Sequence, residues 1–348
     1  MNSSAIVSIT LFGCSCLLLI FYSLSMQTVR PGCAFSVLQN FTARLPYFPS
    51  ETFEQRQQRL NDVHAVIEQN SDPLPKRTSN LTASEFCSIK GNCIRPVAKY
   101  DTRWKVSNKF KLAACLIHKT MSSVMTGIMC FLEKARSYKQ VNATVTSYEQ
   151  AKTICHGNHI TDFAQMEEKY NLVGWDFVVL TRHPIDRFLS GYVDRCIRMA
   201  GPVRGEDYCN GCGMNMTCFL ETEYQKIQRQ IQNKRISRGF VDRHFYPQSW
   251  RCQILDNADR YKFIKYTSDP AENVLPELEN VFTKHKVPKS YIDFVRSQLT
   301  SLRTVHATIA TPSRQFLEER LLSSDYLLEL VVRIFYHDFR ILNYQLPF

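Results

Sequence analysis

Lys111–Phe131 has the sequence KLAACLIHKTMSSVMTGIMCF, and this stretch decides the fold. Residues 112–117 form an apolar run with the length of a buried strand, and an apolar pattern with helical spacing begins at Val124. A polar loop separates the two segments. Its residues after His118 are Lys119, Thr120, Met121, Ser122 and Ser123. Backbone N–H groups, a helix N-terminus and a lysine together bind anions, so the stretch predicts a phosphate- or sulfate-binding loop.

Two alternatives to that site remain. The loop is not a Walker A motif, because the glycines of GxxxxGKS/T are missing and Lys119 precedes the hydroxyl residues. A kinase-like phosphoryl transferase is therefore the weaker enzymatic alternative. The other alternative is an ordinary turn between strand and helix, with Ser122 as the helix N-cap.

A second strand and loop follow the same plan. Trp175–Leu180 is apolar, and residues 181–192 have the sequence TRHPIDRFLSGY, which contains Arg182 and Ser190. Val141–Val145 and Tyr261–Tyr266 are further predicted strands, with helical patterns between them. This alternation predicts an α/β fold with a mainly parallel central sheet flanked by helices. Ligands of such sheets bind beyond the carboxyl ends of the strands, where both loops lie.

At these two loops the chain resembles sulfotransferases that use 3′-phosphoadenosine 5′-phosphosulfate (PAPS). HKTMSS, at 118–123, is similar to their 5′-phosphosulfate loop PKxxST, and RHPIDRFLSGY, at 182–192, to their 3′-phosphate segment RDPxxRxxSxY. His118 replaces the usual proline, and His183 the frequent aspartate. The resemblance implies a P-loop-like sulfotransferase fold, donor binding by Lys119–Ser123, Arg182 and Ser190, and no metal. Lys119 would stabilise the leaving oxygen.

Further landmarks narrow the resemblance to glycan sulfotransferases. DRHFYPQSWRC, at 242–252, resembles the HxxPQxxxC stretch of lumenal enzymes that act on chondroitin, dermatan and the HNK-1 glycan. Tyr261–Tyr266 stands where that family has DFIGxxE, and YHDFRILNY, at 336–344, resembles its YxxDFxxFxY ending. The resemblance makes Arg243 a candidate for acceptor binding and His244 a candidate for a second catalytic or an acceptor-binding group, although a structural use of His244 is an equal alternative. A catalytically inactive glycan-binding relative also fits these landmarks.

A histidine is expected as the base, because its pKa lies nearest neutral pH. The segment CHGNHI, at 155–160, contains His156 and His159. Uronyl 2-O-sulfotransferases carry a similar His-Gly-His cluster between their anion loops, where it supplies the base. One residue is inserted here, so both histidines are candidates, with His159 preferred because it directly precedes a predicted helix. The alternative is that both bind backbone at a strand end.

The chain is basic, with 43 Lys and Arg against 32 Asp and Glu and a formal net charge of +11. This excess predicts an acidic partner. The resemblance selects an anionic, chondroitin-like glycan, whereas no nucleic-acid-binding module is recognisable. Oligomeric state stays open. A few of the basic residues after the predicted strand 175–180 are expected to line an acceptor groove, and the alternative for most of them is a solvated surface charge. These residues are Arg187, Arg195, Arg198, Arg204, Lys234, Arg235, Arg238 and Arg243.

The N-terminal region predicts a type II membrane protein. Residues 5–25 are expected to form a retained signal-anchor helix, because Ala5–Leu24 is uncharged, apolar and long enough to span a bilayer. A cleaved signal peptide is the alternative. Residues 1–4 would be a cytoplasmic tip, 26–105 a lumenal stem and 106–348 the sulfotransferase domain in the Golgi lumen.

Thirteen cysteines favour an oxidising compartment. Cys87 and Cys93 are expected to close a small loop. The cysteine-rich insertion, 196–252, contains the Cys209-x-x-Cys212 spacing, for which disulfides are preferred over zinc. Candidate glycosylation sites begin at Asn40, Asn80, Asn142 and Asn215.

Overall fold

The computed structural model describes residues 80–156, 160–198, 208–267, 269–301 and 311–348, together with Gln55 and Lys76. In these segments one four-stranded sheet has the order β1-β2-β3-β4. Strand β1 is antiparallel to β2, and β2, β3 and β4 are parallel. The predicted mainly parallel sheet is therefore confirmed. The strands are β1 (Trp104–Ser107), β2 (Leu112–Cys115), β3 (Asp176–Arg182) and β4 (Tyr261–Tyr266).

Helices flank this sheet. In chain order they are α1 (Ala83–Ser88), α2 (Ser122–Gln140), α3 (Tyr148–Ile154), α4 (Phe163–Lys169), α5 (Pro184–Tyr192), α6 (Met216–Gln232), α7 (Asp242–Phe245), α8 (Ile254–Asn257), α9 (Pro270–Lys284), α10 (Lys289–Ser301), α11 (Pro312–Leu322) and α12 (Asp325–Ile341). A π-helical turn, Val193–Ile197, continues α5, and short 3₁₀ turns lie at Tyr208–Gly211, Gln248–Gln253 and Ala258–Arg260.

Both faces of the sheet are buried, which explains the continuous apolar runs of β2 and β3. Successive side chains of a strand point to opposite faces. In β3, Val178 and Leu180 therefore pack with α2 and α9, whereas Phe177 and Val179 pack in a second core with Trp104. Neither face of β2 or β3 is left for solvent, so the polar residues of β3 lie at its two ends, at Asp176 and at Thr181 and Arg182.

The register places the two anion loops at one edge. Cys115, the last residue of β2, pairs with Val179 of β3. Because the strands are parallel, the chain after Cys115 and the end of β3 at Arg182 emerge from the same edge of the sheet. The loop that contains Lys119 is therefore a neighbour of Arg182.

The predicted strand at Val141–Val145 is wrong. The segment forms turns after α2, and Asn142 has a left-handed φ of 49°. Ala143 and Val145 are buried because they pack on α2, and the Val145 carbonyl occupies the space that a Cβ on Gly127 would need. The alternating pattern reported burial on one side, which a turn packed on a helix also produces.

The segment that precedes residue 106 packs against the rest of the globular part. Thr82 and Glu85 form a capping box at the start of α1. The guanidinium of Arg333, on α12, lies 4.6 Å from the Phe86 ring centroid, and the Arg333 carbonyl accepts a 2.7 Å hydrogen bond from the Ile94 N–H. These contacts join the segment after Thr82 to the C-terminal helix.

All ten described cysteines are paired, and the preference for disulfides over zinc in the insertion is confirmed at Cys209 and Cys212. The Cys87–Cys93 loop is also confirmed. The pairs are Cys87–Cys93, Cys115–Cys252, Cys130–Cys155, Cys196–Cys209 and Cys212–Cys218. Cys115–Cys252 links the end of β2 to the segment 242–252, beside the anion loops.

The predicted anchor, residues 5–25, lies outside the described residues, as does most of the predicted stem before residue 80. Among the helices that are described, none combines the length and the hydropathy needed to cross a bilayer. The described residues also contain no cluster of three or more His, Cys, Asp or Glu side chains suited to a metal ion.

Candidate active site

The loop after β2 presents backbone N–H groups at a helix start. Lys119 and Met121 have left-handed φ angles of 69° and 65°, which is strained for residues with long side chains. Met121, and not Ser122, is the N-cap of α2, and it provides no side-chain hydrogen bond. The first turn of α2 also lacks an acidic residue. Its N–H groups are thus suited to an anion.

The strained loop is held by hydrogen bonds to its carbonyl groups. The Thr120 hydroxyl donates to the Ile117 carbonyl at 2.9 Å. Arg187, on α5, donates through Nε to the His118 carbonyl and through Nη2 to the Tyr246 carbonyl, both at 3.0 Å. Burial lowers the Arg187 pKa to about 9, so the side chain stays charged at neutral pH. Thr120 and Arg187 therefore support the loop.

Arg182 lies against the same loop, at the end of β3. Its Nη1 donates to the Lys119 carbonyl at 3.5 Å, and its guanidinium lies 5.1 Å from the Tyr266 ring centroid. The buried Nε of Arg182 has no hydrogen-bond partner among the described residues. Burial also lowers the Arg182 pKa. A buried guanidinium with an open donor suits a bound anion.

Gln248 holds the backbone at Arg182. Its side-chain amide donates to the Arg182 carbonyl at 2.8 Å and accepts from the Arg182 N–H at 3.0 Å. The carboxylate of Asp338 accepts from the N–H groups of Gln248 and Ser249, at 2.7 and 2.8 Å. Three sequence landmarks, 182–192, 242–252 and 336–344, are thus joined through buried side chains.

Asp194 lies at the centre of a buried cluster of positive charge. Its carboxylate is fully buried and pairs with the Nζ of Lys119. Arg195 Nη2 lies 2.6 Å from Oδ2, and Arg198 Nε donates to Oδ1 at 2.7 Å. One carboxylate thus contacts three cations, and the cluster has excess positive charge beside the loop.

Burial lowers the Lys119 pKa to about 7, with Asp194 opposing that effect and Arg195 and Arg198 adding to it. The charged form of Lys119 is therefore lost more easily than that of an exposed lysine. An anion bound at the loop would favour the charged form.

Two histidine rings lie beside Lys119. The rings of His118 and His244 have centroids 4.4 Å apart. The Nδ1 of His244 lies 2.6 Å from the Phe240 carbonyl, which can only accept, so Nδ1 carries the proton and Nε2 keeps a lone pair. Burial, followed by His118, Arg195 and Lys119, holds the pKa of His244 well below its usual value. His244 is therefore neutral at pH 7 and able to accept a proton.

The comparisons with known proteins agree with this geometry. The model of the sulfotransferase family matches residues 102–345, which include both anion loops, His244 and Asp338. The chain belongs to the sulfotransferase family. No solved structure gave a significant match.

Three relatives from Caenorhabditis elegans cover most of this sulfotransferase. An uncharacterized protein is 42% identical over 80% of this chain and 79% of its own. The protein vep-2, which carries a provisional sulfotransferase name, is 35% identical over 75% of this chain and 83% of its own. The carbohydrate sulfotransferase chst-1 is 27% identical over 73% of this chain and 79% of its own.

The structure brings together some of the predicted site residues. Lys119 and Arg182 meet, and Ser190 is buried on α5. Ser122 and Ser123 are partly exposed at the start of α2. The Met121 side chain packs against the core, so that residue contributes through its backbone. The Thr120 hydroxyl is directed to the Ile117 carbonyl.

The other predicted residues are placed differently. His156 is exposed, and no described hydrogen bond, ion pair or ring contact joins it to the loop 118–123. His159 lies outside the described residues. Arg243 Nη1 stands 3.9 Å from Asp101, and its buried Nε has no partner among the described residues.

The sequence patterns did not single out Asp194 or the proximity of His118 to His244. For Asp194 a local signal exists, because Arg198 is four residues further on and Arg195 is adjacent. The histidine pair has no such signal, since the two residues come from distant segments.

Replacing Gln248 tests its support of Arg182. Gln248→Ala leaves the buried N–H and carbonyl of Arg182 without their partners, so the free energy of unfolding should fall by about 2–4 kcal/mol. Affinity for adenosine 3′,5′-bisphosphate should fall as well. Urea denaturation and titration calorimetry measure the two effects. Gln225→Ala, on the exposed face of α6, should change neither, and an equal effect of both variants would exclude this role.

The protonation of Lys119 predicts an alkaline limit to activity. The charged form is lost as pH rises through its pKa of about 7, so kcat/KM for the donor should fall above that pH. Asp194→Asn removes the group that raises this pKa, and the fall should move to lower pH. Lys119→Arg should abolish the fall in this range, because a guanidinium stays charged.

The control for that profile is Asp293→Asn, which changes an exposed carboxylate on α10. It should leave the profile unchanged. A profile that is identical in the wild type, Asp194→Asn and Lys119→Arg would assign the alkaline limit to another group.

Proposed function

We propose that this sulfotransferase transfers a sulfuryl group from PAPS to a hydroxyl of a chondroitin-like glycosaminoglycan. The observation that carries the proposal is the meeting of two anion sites: Arg182 Nη1 lies 3.5 Å from the Lys119 carbonyl, and the buried Arg182 Nε has no partner among the described residues. The similarity to a carbohydrate sulfotransferase supports a glycan acceptor.

The donor's two charged groups have separate binding residues in this proposal. The N–H groups of Lys119–Ser123 and the Lys119 ammonium bind the phosphosulfate. Arg182 and Ser190 bind the 3′-phosphate, for which the open Nε of Arg182 supplies a donor. The residues present therefore fit a molecule with two anionic groups.

The reaction in this proposal is an in-line displacement at sulfur. The acceptor oxygen forms a bond to sulfur while the bond from sulfur to the bridging oxygen breaks, and that oxygen keeps the electron pair. The acceptor proton passes to a histidine, for which the geometry supports His244 through its Nε2. Lys119 stabilises the charge that develops on the leaving oxygen. His159 stays a sequence prediction for the same role.

We also propose a Golgi location, with residues 5–25 as a type II anchor and the catalytic domain in the lumen. Five disulfides in the described segments support an oxidising compartment. Protease added to sealed vesicles, with and without detergent, tests this orientation, because a lumenal domain is protected until detergent opens the membrane.

The proposed reaction is tested on the full chain in detergent, incubated with sulfur-labelled PAPS and a panel of desulfated glycans. We expect label on chondroitin and none on a heparan backbone. Label on another glycan alone would exclude the chondroitin acceptor, and no labelling together with no binding of adenosine 3′,5′-bisphosphate would exclude the donor.

A further inference from the structure

A basic groove lies away from the donor loops. It has a volume of about 540 Å³, with apolar walls from Pro96, Val97, Ile231 and Ile236. Every charged residue that lines it is basic. These residues are Arg95, Lys99, Lys234, Arg235 and Arg238.

The five cations of the groove share one property, which is that they have no counter-ion among the described residues. All five are exposed, and none forms an ion pair with a described carboxylate. Elsewhere on the surface, exposed lysines such as Lys284 and Lys289 pair with neighbouring aspartates. Five like charges around one groove repel one another unless an anion is bound, so the groove favours a ligand with several negative charges.

The groove continues past Lys99, Tyr100 and Arg238. These residues also line a second groove of about 450 Å³, which reaches Thr161 and Gln253 and, unlike the first, also includes the carboxylates of Asp101 and Asp162. Two connected grooves suit an extended ligand better than a compact one. The donor has its own anion sites at Lys119 and Arg182, which line neither groove.

An exposed aromatic ring that is close in sequence to the groove residues contacts the reactive centre. Phe240 follows Arg238 by two residues, and 50% of its surface is exposed. Its ring centroid lies 4.8 Å from that of His244, and the Arg195 guanidinium lies 4.8 Å from the ring. Its carbonyl accepts the hydrogen bond from His244 Nδ1. The contact with His244 and the open half of the ring together leave Phe240 free to touch a ligand that approaches His244.

We propose that the groove binds several sugar units of an acidic polysaccharide, and that Phe240 packs against the sugar whose hydroxyl faces His244. The inference rests on the proposed function and adds the residues that select the acceptor. The segment 234–240 supplies both parts, with Lys234, Arg235 and Arg238 lining the groove and Phe240 in contact with His244. A polymer therefore contacts the groove, whereas a short acceptor contacts Phe240 alone.

The test uses the full chain with four groove cations neutralised: Lys99→Gln, Lys234→Gln, Arg235→Gln and Arg238→Gln together. KM for polymeric chondroitin should rise about tenfold, since four exposed charge contacts are lost. The KM for the donor and the kcat should stay unchanged, and a disaccharide acceptor should show little change. The matched control neutralises four exposed basic residues elsewhere that also form no ion pair with a described carboxylate: Arg136, Lys139, Lys169 and Lys286.

Phe240 is tested separately. Phe240→Ala should lower kcat/KM for both the polymer and the disaccharide about tenfold, and Phe240→Trp should restore it, because another aromatic ring can contact the sugar. Equal KM values for the polymer in the wild type, the groove variant and the control would overturn the proposal that the groove binds the polymer. An unchanged kcat/KM in Phe240→Ala would overturn the proposed contact between Phe240 and the sugar.

These failures differ from failure of the proposed function. If the wild-type protein transfers sulfate and the groove variant has the same KM for the polymer, the proposed function stands and the inference about the groove fails. If no acceptor is labelled, retention of the full chain on immobilised chondroitin still tests the groove, since the groove variant should elute at lower salt. A groove variant that loses binding to anionic vesicles and keeps its polymer KM would assign the groove to a membrane surface.

Discussion

Lys119→Ala should lower kcat about 10²–10³-fold, because it removes the positive charge closest to the leaving oxygen in the proposed reaction. The protein should stay folded. Asp194 keeps Arg195 and Arg198 as partners, so the variant leaves no buried carboxylate without a cation. Turnover with labelled donor measures the loss, and circular dichroism checks the fold.

Lys139→Ala is the matched control for this variant, because Lys139 is exposed at the far end of the same helix, α2. It should retain wild-type turnover. A Lys119→Ala protein as active as Lys139→Ala would show that the loop after β2 is not where charge develops.

His244→Asn should lower kcat about 10²–10⁴-fold, the range for a lost general base. Asparagine can still donate to the Phe240 carbonyl but has no group in place of Nε2, so the local hydrogen bond is kept and the proton acceptor is lost. In the wild type, kcat/KM should fall only at pH well below 6.5, because the pKa of His244 is lowered. A pH profile of both proteins measures this.

Replacement of the other histidines tests which histidine is the general base. His156→Ala should be nearly neutral, because His156 is exposed and has no described contact with the loop. His118→Asn should have an intermediate effect through its ring contact with His244. An active His244→Asn variant together with an inactive His159→Ala variant would assign the role of general base to His159, the residue preferred from sequence.

Local patterns were sufficient for the parallel strands and for the loops after them. The strand predicted at Tyr261–Tyr266 has the observed bounds, and the helix predicted directly after His159, for which Thr161 and Asp162 were both possible caps, is α4, with Asp162 as its cap. The strand prediction at Val141–Val145 was wrong because a period of two indicates which side chains are buried and not what they pack against. In this case they pack against a helix.

The amino-acid order by itself determined the strand–loop–helix units, the places of Lys119 and Arg182 after their strands, and the basic excess of the chain. These properties depend on neighbours in sequence, through apolar period, turn residues and charge. Only the tertiary structure decided that His244 lies beside His118, that Asp194 joins three cations, and that Gln248 holds the backbone of Arg182. Such contacts join segments distant in the chain, and the sheet register and helix packing that bring them together depend on the whole core.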